Sequence, residues 1–249
     1  MLIVDLNADL GEGMPFDEFL MPLISSANIA CGGHTGNISS MELSIGLAKK
    51  NGVAIGAHPS YPDKENFGRV DLLQAGLQLS ALEESLVTQI MQLQMLCAQS
   101  GVSIHHVKPH GALYNRAALD PKAASCICSA VKKIDSGIII YGMSQSVLAE
   151  QAALAQLSFV HEAFADRVYQ DERTLRPRTK ANAVINDIQA AVNQAMQLAK
   201  EGKAFSAEGN TILVKAETIC IHGDHPNALA IARAIHDAFK ENGIRLQAP

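Results

Sequence analysis

Read at the two-residue period of a β-strand, the first residues divide into two faces, with Leu2, Val4 and Leu6 on one and Ile3, Asp5 and Asn7 on the other. A buried strand is normally apolar on both sides, so an inward Asp and Asn require hydrogen-bonding partners or a solvated site. Asp9 and Glu12 follow, expected in a loop beside Gly11 and Gly13.

The split recurs along the chain. A strand at 26–31 closes in CGGHTG (31–36), and the next, at 53–57, puts His58 at its tip ahead of a long loop over 58–69. A strand from Val102 carries Ile104, His106 and Lys108 on one face before Pro109, His110 and Gly111 end it. Three more strands are expected at 137–141, 158–162 and 217–222. Glu162 ends the second of these, with Asp166 and Arg167 just beyond, and His222 ends the third. Helical stretches lie between. Ser39 with Glu42, and Ser80 with Glu83, have capping-box spacing, and Asp120 before Pro121 is a favoured helix start. Gly52, Gly101, Gly202 and Gly243 mark helix ends. Helices are also expected at 145–157, at 182–200 and after Pro226, and the arginine-rich 169–180, with Pro177 inside it, is expected to be loop.

Strand, loop and helix thus alternate seven times, which in an α/β protein means parallel strands with helical crossovers, in an open sheet or a closed barrel. Polar residues gather at the C-terminal ends of nearly all the strands, which favours a barrel mouth over a crevice between two strands. The expectation is one domain over 1–249, a seven-stranded β/α (TIM-like) barrel.

Composition narrows the function. A chain of 249 residues with 48% hydrophobic content can bury one sizeable core. No apolar run is long enough to span a membrane. Five cysteines, an odd number scattered along the chain, argue against a disulfide framework and for a reducing compartment, so a cytoplasmic location is expected. Cys126 and Cys128 fall two apart on a helix and point in different directions. A net charge of −5, no basic cluster and no tryptophan speak against nucleic acid or anionic membrane as partners.

Of the histidines, His34, His58, His110 and His222 lie at or just after strand ends, while His105, His161 and His236 suit packing or surface positions. No HExxH and no HxH on one strand is present, and His222, Asp224 and His225 are too close in sequence to be three ligands of one ion. Imidazoles and carboxylates from neighbouring strand ends could bind a divalent metal, but on that spacing no ligands are assigned and no obligatory transition metal is expected. Lys108, on an inward face, needs an anionic partner, for which Asp9, Glu162 or a substrate carboxylate would serve. The glycines of CGGHTG precede a helix and could aim backbone N–H groups at an oxyanion. Neither GxxxxGK[ST] nor GxGxxG occurs, so the chain has no recognisable nucleotide cradle.

Taken together, DLNADLGEG (5–13), SANIACGGHTG (26–36), GAHPSYPD (56–63), FGR (67–69), VKPHGALYN (107–115) and EAFADR (162–167), followed by RTLRPR (173–178) and ICIHGDHP (219–226), resemble the LamB/YcsF family over essentially the whole chain. The resemblance implies a β/α barrel similar to the glycoside hydrolase and deacetylase group. It also implies cleavage of the cyclic amide of 5-oxo-L-proline to L-glutamate, coupled to ATP hydrolysis, in a 5-oxoprolinase complex of this A-type component with partner subunits B and C. ATP, with its Mg²⁺, would be used by the complex. The residues themselves suggest the roles: Asp9 or Glu162 as general base, Lys108 or an arginine on the substrate carboxylate, and His34 in the GGH turn at the oxyanion. Asn7, Glu12, His58, Arg69, His110, Asp166, Arg167 and His222 are the expected substrate contacts. The alternatives are a non-catalytic component that binds or channels the lactam, and a stand-alone metal-dependent amide hydrolase or deacetylase. A homo-oligomer is compatible with all three.

Overall fold

A computed structural model describes residues 1–223 and 227–249. From the N-terminus, β1 (Ile3–Leu10), α1 (Asp17–Leu20) and a 3-10 turn (Met21–Leu23) lead to β2 (Ser26–Ala30), α2 (Ile38–Asn51), β3 (Ala54–His58) and α3 (Leu79–Gln99). Then come β4 (His106–Val107), α4 (Gly111–Ala117), α5 (Pro121–Ile134), β5 (Ile139–Met143), α6 (Val147–Leu154), β6 (Phe159–Phe164) and α7 (Ile188–Glu201). An antiparallel pair, β7 (Lys203–Phe205) and β8 (Thr211–Leu213), precedes β9 (Thr218–Ile221), α8 (Ala228–Glu241) and β10 (Arg245–Leu246). Strands β1 to β6 pair in parallel in chain order, β9 follows β6, and β9 pairs back onto β1, closing a seven-stranded barrel. The short β10 lies along the start of β1.

The pleat of each strand sends alternate residues outward and inward. Val4, Leu6, Ile29, Ile55, Val107, Ile140 and Ile219 join the hydrophobic core around the barrel. The inward set is polar: Asp5, Asn7, Asp9, Ser26, Asn28, His58, His106, Glu162 and Thr218 are all buried. At the lower end this polarity is closed on itself. Ser25 and Ser26 donate to Asp5 Oδ1 at 2.6 and 2.8 Å, and Thr218 donates to Asp5 Oδ2 at 2.6 Å. His106 stacks on Tyr141 with ring centroids 3.9 Å apart, and its Nε2 donates to Asn28 Oδ1 at 2.8 Å. Gly56 makes room for that ring, since a Cβ there would collide with His106 Nε2.

Several local expectations change. Helix α2 begins earlier than Ser39: Asn37 is its N-cap, accepting from Ser40 N, with the Ser40 hydroxyl returning the bond. Ser39 and Glu42 lie inside the helix, where their spacing has no capping role. Ser80 and Glu83 form no box either, because α3 starts at Leu79 and Glu83 is held by Ser129 and Lys133 of α5. Asp120 does cap α5, with Pro121 at its first position. Helix α7 starts at Ile188, capped by Asp187, rather than at 182. Asp9 stands in β1 itself, so no loop presents it. Asp224, His225 and Pro226 lie outside the described residues.

Candidate active site at the barrel mouth

At the C-terminal end of the strands lies a cavity of about 540 Å³. Asp9, Glu12, His58, Arg69, Lys108, His110, Arg167 and His222 line it directly. The remaining expected site residues stand behind this wall. Asn7 and Glu162 are fully buried beneath Lys108, His34 backs Glu12, and Asp166 accepts from His222 Nδ1 at 2.9 Å and from its backbone N at 2.8 Å.

Lys108 joins the walls of the barrel. Its Nζ lies 2.8 Å from Asp9 Oδ1, 2.9 Å from Glu162 Oε1, 3.3 Å from Asn7 Oδ1 and 3.0 Å from Cys220 Sγ. Asn7 Nδ2 donates to Glu162 Oε1 at 3.0 Å and to Thr218 Oγ1 at 2.7 Å, and Asn28 Nδ2 donates to both Asn7 Oδ1 and Asp9 Oδ1. Burial works against charge on every one of these groups, and the opposite charges reverse it. For Lys108 burial is the largest influence, but Asp9, then Cys220 and Glu162, lift the ammonium well above its ordinary value. For Asp9 burial is likewise outweighed, by His58 and Lys108, and the carboxyl is held well below the usual range. The pair is therefore charged at neutral pH.

Beside it stands a second group, drawn from the end of β3 and from the loops that follow other strands. His34 and His110 stack with centroids 3.7 Å apart, and Phe67 meets both edge-on. His34 Nε2 is 3.0 Å from Glu12 Oε1, and His58 Nε2 is 3.0 Å from His110 Nδ1. Phe67 has φ +55, a strained value for a bulky residue, and its carbonyl accepts from His110 Nε2 at 3.0 Å. Gly68 beside it also has positive φ, and a Cβ there would lie 2.9 Å from His34 Cβ and 3.0 Å from His110 Cδ2. Burial, with His58 next, pushes His34 down to about 3, and burial with His58 and His34 pushes His110 well below its ordinary value. The expectation of no obligatory transition metal rested on spacing along the chain. Here Glu12, His34, His58 and His110 converge, with donor atoms all within 4.8 Å of one another.

The CGGHTG turn does not form an oxyanion hole at this cavity. Gly32, Gly33 and Gly36 line a different groove beside α3, and Gly32 N is already bonded to Thr35 O. Gly33 serves packing, since a Cβ there would collide with Gln89 and Ser60. Other residues enter the site unforeseen. Asn28 and Cys220 were legible by strand alternation. Tyr114 belongs to the VKPHGALYN motif but sits on α4, a helix the periodicity did not show. Arg116, Arg173 and Arg178 reach the cavity from α4 and from the arginine-rich loop.

The fold and this mouth define a seven-stranded β/α barrel with a buried charged site at the C-terminal end of its strands, and the sequence places it further. Residues 4–249 match the LamB/YcsF family model, and the chain belongs to that family. It is 41% identical over 245 residues to the A subunit of 5-oxoprolinase from Haemophilus influenzae strain PittEE, covering 98% of this chain and 99% of that one. The corresponding A subunit of Bordetella parapertussis is also 41% identical, over 252 residues and 98% of both chains. Among solved structures, a lactam utilization protein from Thermus thermophilus matches with a TM-score of 0.91 and 38% identity over 100% of both chains. The peptidoglycan deacetylase PdaC of Bacillus subtilis shares the barrel alone, at TM-score 0.52 and 13% identity over 99% of this chain and 87% of that one. Among the described residues no helix is long and apolar enough to cross a membrane.

Proposed function

We propose that this chain opens the ring of 5-oxo-L-proline, giving L-glutamate, as the A component of a cytoplasmic ATP-dependent 5-oxoprolinase whose subunits B and C supply the ATP-driven activation. The observation that carries the reading is the buried Lys108–Asp9–Glu162 cluster opening onto a cavity rimmed by arginines. Family membership and the 41% identical A components of other 5-oxoprolinases support it.

In this reading the substrate carboxylate is held by rim arginines, Arg69 and Arg167 among them, which suit a planar anion. Asp9, which lines the cavity, is the general base; Glu162 does not line it and serves to hold Lys108. Water adds to the ring carbonyl carbon and gives its proton to Asp9. The carbon–nitrogen bond then breaks as the ring nitrogen takes the proton that Asp9 received, which returns Asp9 to its carboxylate form. Lys108, kept charged by its neighbours, stabilises the negative charge that develops on the carbonyl oxygen. The cavity is larger than a small lactam fills, and its arginines also suit a phosphorylated intermediate delivered by the partner subunits. ATP and its Mg²⁺ then act in subunits B and C, since this chain lacks a recognised phosphate loop.

The test is reconstitution. Glutamate should form from 5-oxoproline and ATP only when this chain, B and C are combined, and ATP-dependent turnover by this chain alone would overturn the proposal.

A further inference from the structure

We propose that Glu12, His58 and His110 form a site for a divalent zinc-like cation at the barrel mouth, with His34 stacked on His110 and bonded to Glu12 as the support of both. The argument stands on the geometry of these four residues and does not depend on the 5-oxoprolinase reading.

His58 Nδ1 lies 2.7 Å from the Lys108 carbonyl, and His110 Nε2 lies 3.0 Å from the Phe67 carbonyl. A carbonyl only accepts, so both of these nitrogens carry hydrogen. With those hydrogens placed, the remaining ring nitrogens, His58 Nε2 and His110 Nδ1, face each other at 3.0 Å, with Asp9 Oδ2 3.4 Å from His58 Nε2, so that either a shared proton or a metal cation must lie between them. Two acceptors held at hydrogen-bond distance repel unless a cation lies between them. Glu12 Oε1 brings a further acceptor 3.6 Å from His110 Nδ1, 4.0 Å from His58 Nε2 and 3.0 Å from His34 Nε2.

The spacing suits an ion. Ligands about 2.0–2.1 Å from a four-coordinate ion lie about 3.3 Å apart, and the separations among Glu12 Oε1, His58 Nε2 and His110 Nδ1, from 3.0 to 4.0 Å, bracket that value and leave a fourth position open. Backbone carbonyls orienting the far nitrogens of two ligand imidazoles are the usual supports of a metal-binding histidine. Two imidazoles and one carboxylate favour zinc over magnesium or calcium, which prefer all-oxygen sets. A second grouping, Asp9, Cys220 and His222, does not compete, because the Lys108 ammonium already occupies the space between Asp9 and Cys220.

The experiment uses untagged full-length chain, stripped with chelator and titrated with Zn²⁺ by calorimetry, with Co²⁺ loaded separately for its visible spectrum. One equivalent should bind, and cobalt should show the intense bands of a four-coordinate ion. His110→Ala and Glu12→Gln should each weaken Zn²⁺ binding by about 100-fold or more, since losing even a group that only supports a ligand costs up to about that much. His236→Ala, remote from the mouth, should leave it unchanged. No stoichiometric binding, or binding that survives both substitutions, overturns the site and leaves a shared proton between His58 and His110 as the solution. Should either variant fail to fold, as judged by circular dichroism, the wild-type stoichiometry and cobalt spectrum decide alone, and a weak six-coordinate spectrum counts against the site. Failure here leaves ATP-dependent turnover with B and C untouched as a separate result.

Discussion

The floor and the mouth of this barrel are made of the same residue types and behave oppositely. At the floor, Asp5 takes three hydroxyl donors, from Ser25, Ser26 and Thr218, and His106 is stacked on Tyr141 and bonded to Asn28. At the mouth, Asp9 shares one lysine with Glu162, the ring nitrogens of His58 and His110 face each other at 3.0 Å, and among the described residues buried polar atoms of His34, Tyr114 and Glu162 make no well-formed hydrogen bond. A buried polar group that is fully satisfied specifies a structure; one left with unused valence is available to a ligand. The distinction lies in satisfaction, and burial does not report it, since Asp5 is 1% exposed and Asp9 only 6%.

Substitutions that remove charge from the mouth should have the largest effects. Lys108→Met leaves Asp9 and Glu162 buried without their cation, so urea unfolding should show a loss of about 3–5 kcal/mol. Turnover of the reconstituted complex should fall below detection. If more than a tenth of it survives, the lysine is a structural brace and the contrast with the floor fails. Next comes Asp9→Asn, which keeps size and most hydrogen bonds but removes the proton acceptor. Turnover should fall by about 10²- to 10⁴-fold with little change in KM. Retention of a third of wild-type turnover would move the role of base to Glu162.

That floor and mouth differ was only partly legible in the sequence. The alternation in 2–7 announced a polar interior, and the strand ends lay close enough to their expected places to gather Asn7, His58, Lys108, Glu162 and His222 at one end. What the chain order hides is convergence. Glu12, His34, His58 and His110 are separated by long stretches, each well placed by its own strand, and no linear spacing reveals that their donor atoms meet. Capping boxes misled for a similar reason: a Ser and a Glu three apart also occur within helices, and tertiary contacts such as Glu83 with Lys133 decide the use. The hairpin of β7 and β8 and the helix α4 were missed because elements this short carry little periodicity.

At the floor, Asp5→Asn should cost stability and spare activity. The new amide would meet Thr218, whose hydroxyl already donates to Asp5 Oδ2 and accepts from Asn7, so about 1–3 kcal/mol is expected. Burial raises the Asp5 carboxyl above its ordinary value of 3.8, the hydroxyl donors offsetting it only in part. A raised carboxyl contributes stability that is complete below the unfolded-state value and is lost as pH rises through the folded one. Wild type should therefore lose stability, relative to Asp5→Asn, as pH climbs from just below the ordinary carboxyl value into the range above it. A flat difference between the two proteins across that window would show that Asp5 does not titrate differently on folding.

The smallest effects should come from a matched pair of tyrosines. Tyr141 at the floor and Tyr114 at the mouth are both buried, and each loses only a hydroxyl on replacement by phenylalanine. The Tyr141 hydroxyl lies 3.3 Å from Ser26 Oγ, so Tyr141→Phe should cost about 0.5–1.5 kcal/mol in thermal or urea unfolding and leave turnover unchanged. The Tyr114 hydroxyl lines the cavity and makes no well-formed hydrogen bond among the described residues, although Glu162 lies near enough that, after burial itself, its charge and a loose side-chain contact raise the Tyr114 pKa. Removing an unsatisfied buried hydroxyl should cost nothing in stability. Its loss should instead appear in kcat/KM, by about 2- to 10-fold, the kinetic equivalent of one hydrogen bond made only when substrate is present. Equal stability losses from the two changes, with no kinetic difference, would mean that the unused valence at the mouth belongs to the fold after all.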